Sequence, residues 1–207
     1  MAIAKLAVDK TIPFKDIIMR NDNPQLYTPV LPEGYTLDTY REGDEYAWAK
    51  MEVYAGDFAT EEKAVEYFRT IHLCKKEEVM KRFVAVRNKE GQCVCSCFAW
   101  KTERKGEPVA ALQWLVTMPG YEGLGLARAA AAETVNRYYR MGEKPVYLHT
   151  QPWSYKALWL YYQHGFRIVR HDTFQAFGND CDEALKILDK LIPADRMAQI
   201  RADVLDD

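Results

Sequence analysis

The spacing of apolar residues along this chain changes period several times, and each change marks an expected element. Residues 35–40 read as a short strand, set off by Leu31-Pro32-Glu33-Gly34. Asp44 is placed to cap a helix over 44–54, with Trp48, Met51 and Ala55 on one face and Gly56 as its stop. A second helix is expected after Thr60, where Glu61 and Glu62 suit a positive first turn and Val65, Phe68 and His72 share a face. Three strand-like segments follow, over 82–87, 94–101 and 109–118. Asn88-Lys89-Glu90-Gly91 and Lys105-Gly106-Glu107-Pro108 separate them as turns, and Pro119 closes the last.

Helical spacing returns over 123–141, where Ala127, Ala130, Ala131, Thr134 and Tyr138 align, with Gly142 as the residue after the helix and Pro145 beyond it. Residues 146–150 read as another strand. Ser154 is expected to cap a helix reaching His164, with Trp153 stapled onto Leu158 and Gly165 as the stop. One or two final strands are expected over 166–177. One or two helices follow over 182–205, with Leu185, Leu188 and Ile192 on one face. Helices, antiparallel strands and then strand–helix–strand–helix–strand make a mixed α/β fold. Without an internal repeat, low-complexity tract or Gly/Ser linker, one domain is expected over 34–178. An extension over 1–33 packs on it, and a helical tail covers 179–207.

Composition narrows the function classes. With 207 residues, 48% hydrophobic and 28% charged, the chain is an ordinary globular protein long enough to bury a sizeable core. Its 28 basic and 30 acidic residues nearly cancel, giving a net charge of −2. No charge stripe suggests nucleic acid or an anionic membrane as partner. No apolar run approaches the ~20 residues needed to span a bilayer. Asp9 and Lys10 interrupt any signal-peptide core early, which points to the cytoplasm, as a monomer or homodimer.

Cys93, Cys95 and Cys97 sit two apart, so on a strand their thiols share one face. Metal sites favour a C-x-x-C spacing closed by a second ligand pair, and no second pair is present. These thiols, with Cys74 and Cys181, read as reduced, small hydrophobic residues, and no metal is expected.

The segment that carries chemistry runs from Leu115 to Arg128: Leu115-Val116-Thr117-Met118-Pro119-Gly120-Tyr121-Glu122-Gly123-Leu124-Gly125-Leu126-Ala127-Arg128. An apolar strand, a glycine turn and a small-residue helix start offer unpaired backbone N–H groups and a positive helix end to an anion. Glycine also lets a phosphate approach the backbone closely. A P-loop would need Gly-Lys followed by Ser or Thr, which is absent. A Rossmann fingerprint fits Gly123 and Gly125, but its third small position falls on Arg128, and residues 146–150 lack the acidic residue that would hold a ribose. Coenzyme A remains.

Here the sequence resembles the GNAT acetyltransferase superfamily, whose signature is Gln/Arg-x-x-Gly-x-Gly/Ala after a strand ending close to a proline. Glu122-Gly123-Leu124-Gly125-Leu126-Ala127 matches it and Arg128 follows. Downstream, Ser154-Tyr155-Lys156-Ala157-Leu158-Trp159-Leu160-Tyr161, leading into Gly165-Phe166, resembles the family's Asn-x-x-Ala-x-x-Leu-Tyr and Gly-Phe. The resemblance covers about residues 109–170. Two departures stand out: Glu122 puts a carboxylate near the expected pyrophosphate, and Ser154 replaces the family's Asn.

The resemblance implies a mainly antiparallel sheet whose one parallel strand pair, near 109–118 and 146–150, splays at the acetyl-CoA site. It implies cofactor binding by Val116, Thr117, Glu122, Gly123, Leu124, Gly125, Leu126, Ala127, Arg128 and Ser154. A backbone N–H near Val116 or Thr117 would polarise the thioester carbonyl. Tyr161 would protonate the departing thiolate as an amine attacks directly, without an acetyl-enzyme. The amine acceptor's site is expected around Tyr54, Phe58, His149 and Trp153. The base stays open between His149, Asp57, a water chain and an amine that arrives neutral. Competing functions are a CoA-binding module that no longer catalyses and, last, a thiol or metal protein.

Overall fold

The computed structural model describes residues 9–207; the first eight residues of the expected extension lie outside the described ones. In chain order the strands are β1 (Ile17–Asn21), β2 (Thr36–Asp38), β3 (Phe83–Arg87), β4 (Cys93–Arg104), β5 (Glu107–Thr117), β6 (Val146–Thr150) and β7 (Arg167–Ile168). The helices are α1 (Asp44–Ala55), α2 (Glu61–Tyr67), α3 (Lys76–Arg82), α4 (Leu126–Met141), α5 (Tyr155–Gln163), α6 (Cys181–Leu188) and α7 (Ala194–Ala202). The strands bond in the order β2-β3-β4-β5-β6-β1-β7, a mostly antiparallel sheet with one parallel pair, β5 with β6. The chain clusters into two compact units, one from 27–100 and 113–137, the other from 9–26, 101–112 and 138–207.

In the first unit β2, β3 and β4 form an antiparallel ladder, with Leu37 opposite Val86 and Val84 opposite Cys97. Trp48, Met51, Phe68, Val79, Phe83 and Phe98 are fully buried and make its core. Gly56 ends α1 in the left-handed conformation, as expected of a glycine stop. Asp44 does not cap α1: Gly43 holds that position, at φ 96°, and Asp44 is the first helical residue. Its carboxylate is engaged by the Arg87 guanidinium at 2.9 and 2.7 Å and by the Arg41 N–H at 2.7 Å. Thr60 does cap α2, accepting from the Lys63 N–H at 3.3 Å. Beyond α2 the chain passes through a π turn (Phe68–His72) and a 3₁₀ turn (Leu73–Lys75) into α3.

The second unit differs most from expectation. Part of the expected N-terminal extension is a sheet strand: β1 pairs antiparallel with β6, Met19 opposite Leu148, and with β7, Met19 opposite Ile168. Ile17, Ile18 and Met19 are fully buried. The final strands shrink to β7 and a bridge between Val169 and Leu205. Ser154 stands at the N-cap of α5 without a side-chain cap bond, since a 3₁₀ turn (Pro152–Ser154) leads into the helix and the Ser154 hydroxyl accepts from Gln151 Nε2 at 3.2 Å. Trp153 packs against Phe14, ring centroids 5.3 Å apart, with the Lys10 ammonium 4.2 Å from its ring.

Cys93, Cys95, Cys97 and Cys181 are buried and every cysteine is a free thiol. Burial pushes the Cys95 and Cys97 thiols up to about 12. Inert thiols of this kind pack as small hydrophobic groups. Among the described residues no helix is long and apolar enough to cross a membrane.

Candidate active site

The glycine turn of the first unit follows β5. Met118 anchors it by donating to the Val94 carbonyl at 2.8 Å, and the Tyr121 N–H closes a turn onto the Met118 carbonyl at 3.0 Å. Gly120, Gly123 and Gly125 all have positive φ, 85°, 79° and 81°, a region other residues occupy at a cost. A Cβ added at any of the three would meet nothing within 4 Å, so the turn is open on its outer side. Helix α4 begins at Leu126, later than the 123 expected, because left-handed Gly123 and Gly125 cannot be helical. The Gly125 carbonyl accepts from the Ala129 N–H at 3.1 Å, the first intrahelical bond at this end, so the positive end of the α4 dipole lies at the glycine turn. Leu126 anchors the helix start in the core at 1% exposure, while Leu124 and Arg128 are exposed.

Glu122 does not project freely from this turn. Its carboxylate accepts the Gly120 N–H at 2.7 Å and the Tyr54 hydroxyl. Partial burial works against its charge, but those bonds together hold its pKa below the usual carboxylate range. Tyr54 of α1 is thereby tied to the glycine turn.

Strand β5 carries a local irregularity just before the turn. Its parallel ladder with β6 covers Ala110 with Val146 and Ala111 with Tyr147, whereas β5 runs on to Thr117 and β6 to Thr150. Trp114, past the last pair with β6, has φ 56°, left-handed backbone within a strand, which is costly for a residue with a large side chain. The pairing of β5 with β6 ends at Ala111, three residues before Trp114. Val116 is buried against the first core, and the Thr117 hydroxyl contacts Cys95 Sγ at 3.4 Å.

The Trp114 ring joins Phe58, Trp48 of α1 and Tyr67 of α2 in a cluster with ring centroids 5.3–6.3 Å apart. His72 edges onto Trp48 and Tyr67 and stacks on Phe98 at 4.4 Å. Burial lowers its pKa to about 4, with Lys75 adding to the effect, so the ring is neutral. Glu52, one turn of α1 beyond Trp48, is 1% exposed, and burial, reinforced by Asp57, raises its pKa well above the usual range. The sequence reading named Phe58 here but missed Glu52, Trp48, Tyr67, His72 and Trp114. Helical spacing from Trp48 to Glu52 was the available signal for the carboxyl.

In the second unit His149 Nε2 lies 2.6 Å from Asp16 Oδ1, and the ring stacks on Phe177 at 3.9 Å. Burial lowers the His149 pKa, more than the Asp16 carboxylate raises it. Phe14 sits between His149 and Trp153, at 6.4 and 5.3 Å. Tyr161 of α5 is 8% exposed and edges onto Phe166 at 6.1 Å. Its carbonyl accepts the N–H groups of His164 and Phe166 at 2.9 and 3.1 Å, fixing the end of α5. The expected site residues thus gather in three places: Tyr54 with the glycine turn, Phe58 in the ring cluster, and His149 with Trp153 around Phe14.

The family model described as the acetyltransferase (GNAT) family matches residues 41–166, more than half of the chain. The chain belongs to the GNAT acetyltransferase family. Similar solved structures agree on the fold. A GCN5-related N-acetyltransferase from Sphaerobacter thermophilus is 23% identical at TM-score 0.59, covering 75% of this chain and 49% of that one. A tandem GNAT protein from the clavulanic acid biosynthesis pathway is 18% identical at 0.55, covering 75% and 50%. A GNAT-family acetyltransferase from Colwellia psychrerythraea is 14% identical at 0.54, covering 75% and 54%. This GNAT chain therefore spans about half the length of these relatives. A search of curated proteins returned no match.

Proposed function

We propose that this protein is an acetyl-CoA-dependent N-acetyltransferase acting in the cytoplasm on a primary amine. The observation that carries the reading is the open turn with three left-handed glycines between β5 and α4. Such a turn suits a pyrophosphate, because its backbone N–H groups and the helix dipole both favour an anion that can approach closely. Gly123, Leu124, Gly125, Leu126 and Ala127 would hold it by their backbone, with Arg128 adding charge and Glu122 beside them; Ser154 would make a further contact to the cofactor. Acetyl-CoA supplies an acetyl group activated as a thioester. The backbone at Val116 and Thr117 would orient the acyl carbonyl, and Tyr161 would give a proton to the leaving thiolate. His149, polarised by Asp16, is one candidate to accept the amine's proton.

A thermal melt with acetyl-CoA, CoA, NAD and ATP in parallel tests the cofactor. A ligand at a hundred times its Kd adds about 2.7 kcal/mol, which is roughly 5–10 °C for a chain of this size. A shift with acetyl-CoA and CoA alone is expected; a shift with neither defeats the reading. A second reading, a CoA-binding module that no longer catalyses, draws on one observation: the Glu122 carboxylate already takes the Gly120 N–H. Cofactor binding without turnover on a broad amine panel would favour it.

A further inference from the structure

The ring cluster of the first unit is not a plain apolar core. Glu52 Oε1, Trp48 Nε1, Trp114 Nε1 and both ring nitrogens of His72 are buried without a hydrogen-bond partner among the described residues. Unpaired buried polar atoms are rare in native interiors, because each has given up its bonds to water without replacement. Four of the five belong to rings of this cluster, and the fifth is on Glu52, whose charge acts on Tyr67. Glu52 is the most costly, since a carboxyl buried to 1% exposure has no donor at that oxygen. Trp114, whose ring packs in the cluster, has left-handed backbone at φ 56°. Strain of that kind persists where a ring must be aimed.

We propose that Glu52 and the rings of Trp48, Phe58, Tyr67 and Trp114 form the acceptor subsite, and that the acceptor is a small cationic amine on an apolar or aromatic body. This deepens the acetyltransferase reading and rests on it. The fit follows from three chemistries. Aromatic faces attract a cation, most strongly when it is desolvated. An ammonium brings three N–H donors to a carboxyl whose Oε1 has none among the described residues. Phe58, Tyr67 and Trp114 are half-buried, while Trp48 beneath is fully buried, so the cluster has an outer rim and a closed floor. The indole N–H groups suit an oxygen on the amine's body.

The same pair handles one proton. Carboxylate with ammonium and carboxylic acid with neutral amine differ only in whether that proton sits on Glu52 or on the nitrogen. The amine binds as the ammonium, and passing one proton to Glu52 in the dry site leaves a neutral nitrogen whose lone pair can attack. The surrounding titratable groups act in the same direction or not at all: Asp57 disfavours the Glu52 charge, burial with Glu52 adding raises Tyr67, and His72 is neutral.

Titration calorimetry at pH 8 with 2-phenylethylamine, against its neutral isostere 2-phenylethanol, tests the site, run with CoA and without it. Saturable binding of the amine, at least tenfold tighter than the alcohol, is expected in one or both conditions. Glu52→Gln should remove that preference while keeping the acetyl-CoA melt shift. Equal affinity for amine and alcohol in the parent, or no binding in either condition, overturns the proposal, and so does a Glu52→Gln variant that keeps the preference. The parent comparison decides even if the variant fails to fold. Loss of the acetyl-CoA shift would instead sink the cofactor reading, so the two failures are distinguishable.

Discussion

Glu52 makes folding depend on pH in a direction opposite to most carboxylates. Its folded pKa lies above its unfolded value, so below about pH 4.3 both states are protonated and its burial carries no charge penalty. As pH rises toward the folded value, the unfolded chain releases a proton that the folded chain retains, and stability falls. Glu52→Gln removes the titration. The melting temperature of the variant relative to the parent should therefore rise between pH 4 and 8; a constant difference would mean that Glu52 is not raised. Tyr161→Phe acts elsewhere. If its hydroxyl protonates the thiolate, kcat should fall roughly 10²-fold or more with little change in KM, and unchanged turnover across pH would dismiss the role. Glu52 was legible as an inward-facing position four residues after Trp48. That it lacks a partner depends on α2 and β5, which no local pattern reveals.

At the level of elements, the glycine turn can be tested by its dihedrals. Gly123→Ala and Gly125→Ala each force a Cβ into left-handed backbone, at about 1–2 kcal/mol, although nothing would clash with it. Both variants should lose that much stability by urea unfolding and weaken acetyl-CoA binding several-fold; a neutral effect on both would show that the turn tolerates any residue. This turn was readable because glycine spacing is itself the conformational signal. So were β6, bounded as expected, and the stop at Gly56. Strand β1 was not: Ile17-Ile18-Met19 is too short for a periodicity, and its strand character comes from β6 far along the chain. The left-handed backbone at Trp114 was equally silent, since tryptophan is an ordinary strand residue. Asp44 misled because an acidic residue at a helix start suits both a cap and an ion pair, and Arg87 settled which.

Across the whole molecule, the polar interior near β2 and β3 decides how firmly the first unit is held. Arg87 is 3% exposed at its side chain and bonds Asp44 at 2.9 and 2.7 Å, Asp38 at 2.7 Å and the Thr39 carbonyl at 2.8 Å. It joins β2, β3 and the start of α1 through one guanidinium. Removing only the cation leaves two carboxylates without their main donor, which for a buried pair costs about 3–5 kcal/mol. Arg87→Met should thus lower the melting temperature by roughly 10 °C. The loss should also depend on acid. Partial burial opposes the Asp38 charge, but Arg87 and its other donors hold its folded pKa below the unfolded value. The stability it contributes is therefore full above about pH 4 and fades as pH falls through the folded pKa. The gap between parent and Arg87→Met, followed by urea unfolding from pH 7 to pH 3, should narrow at the acid end as the carboxylates protonate; a gap that stays constant would assign the loss to the packing of the Arg87 stem.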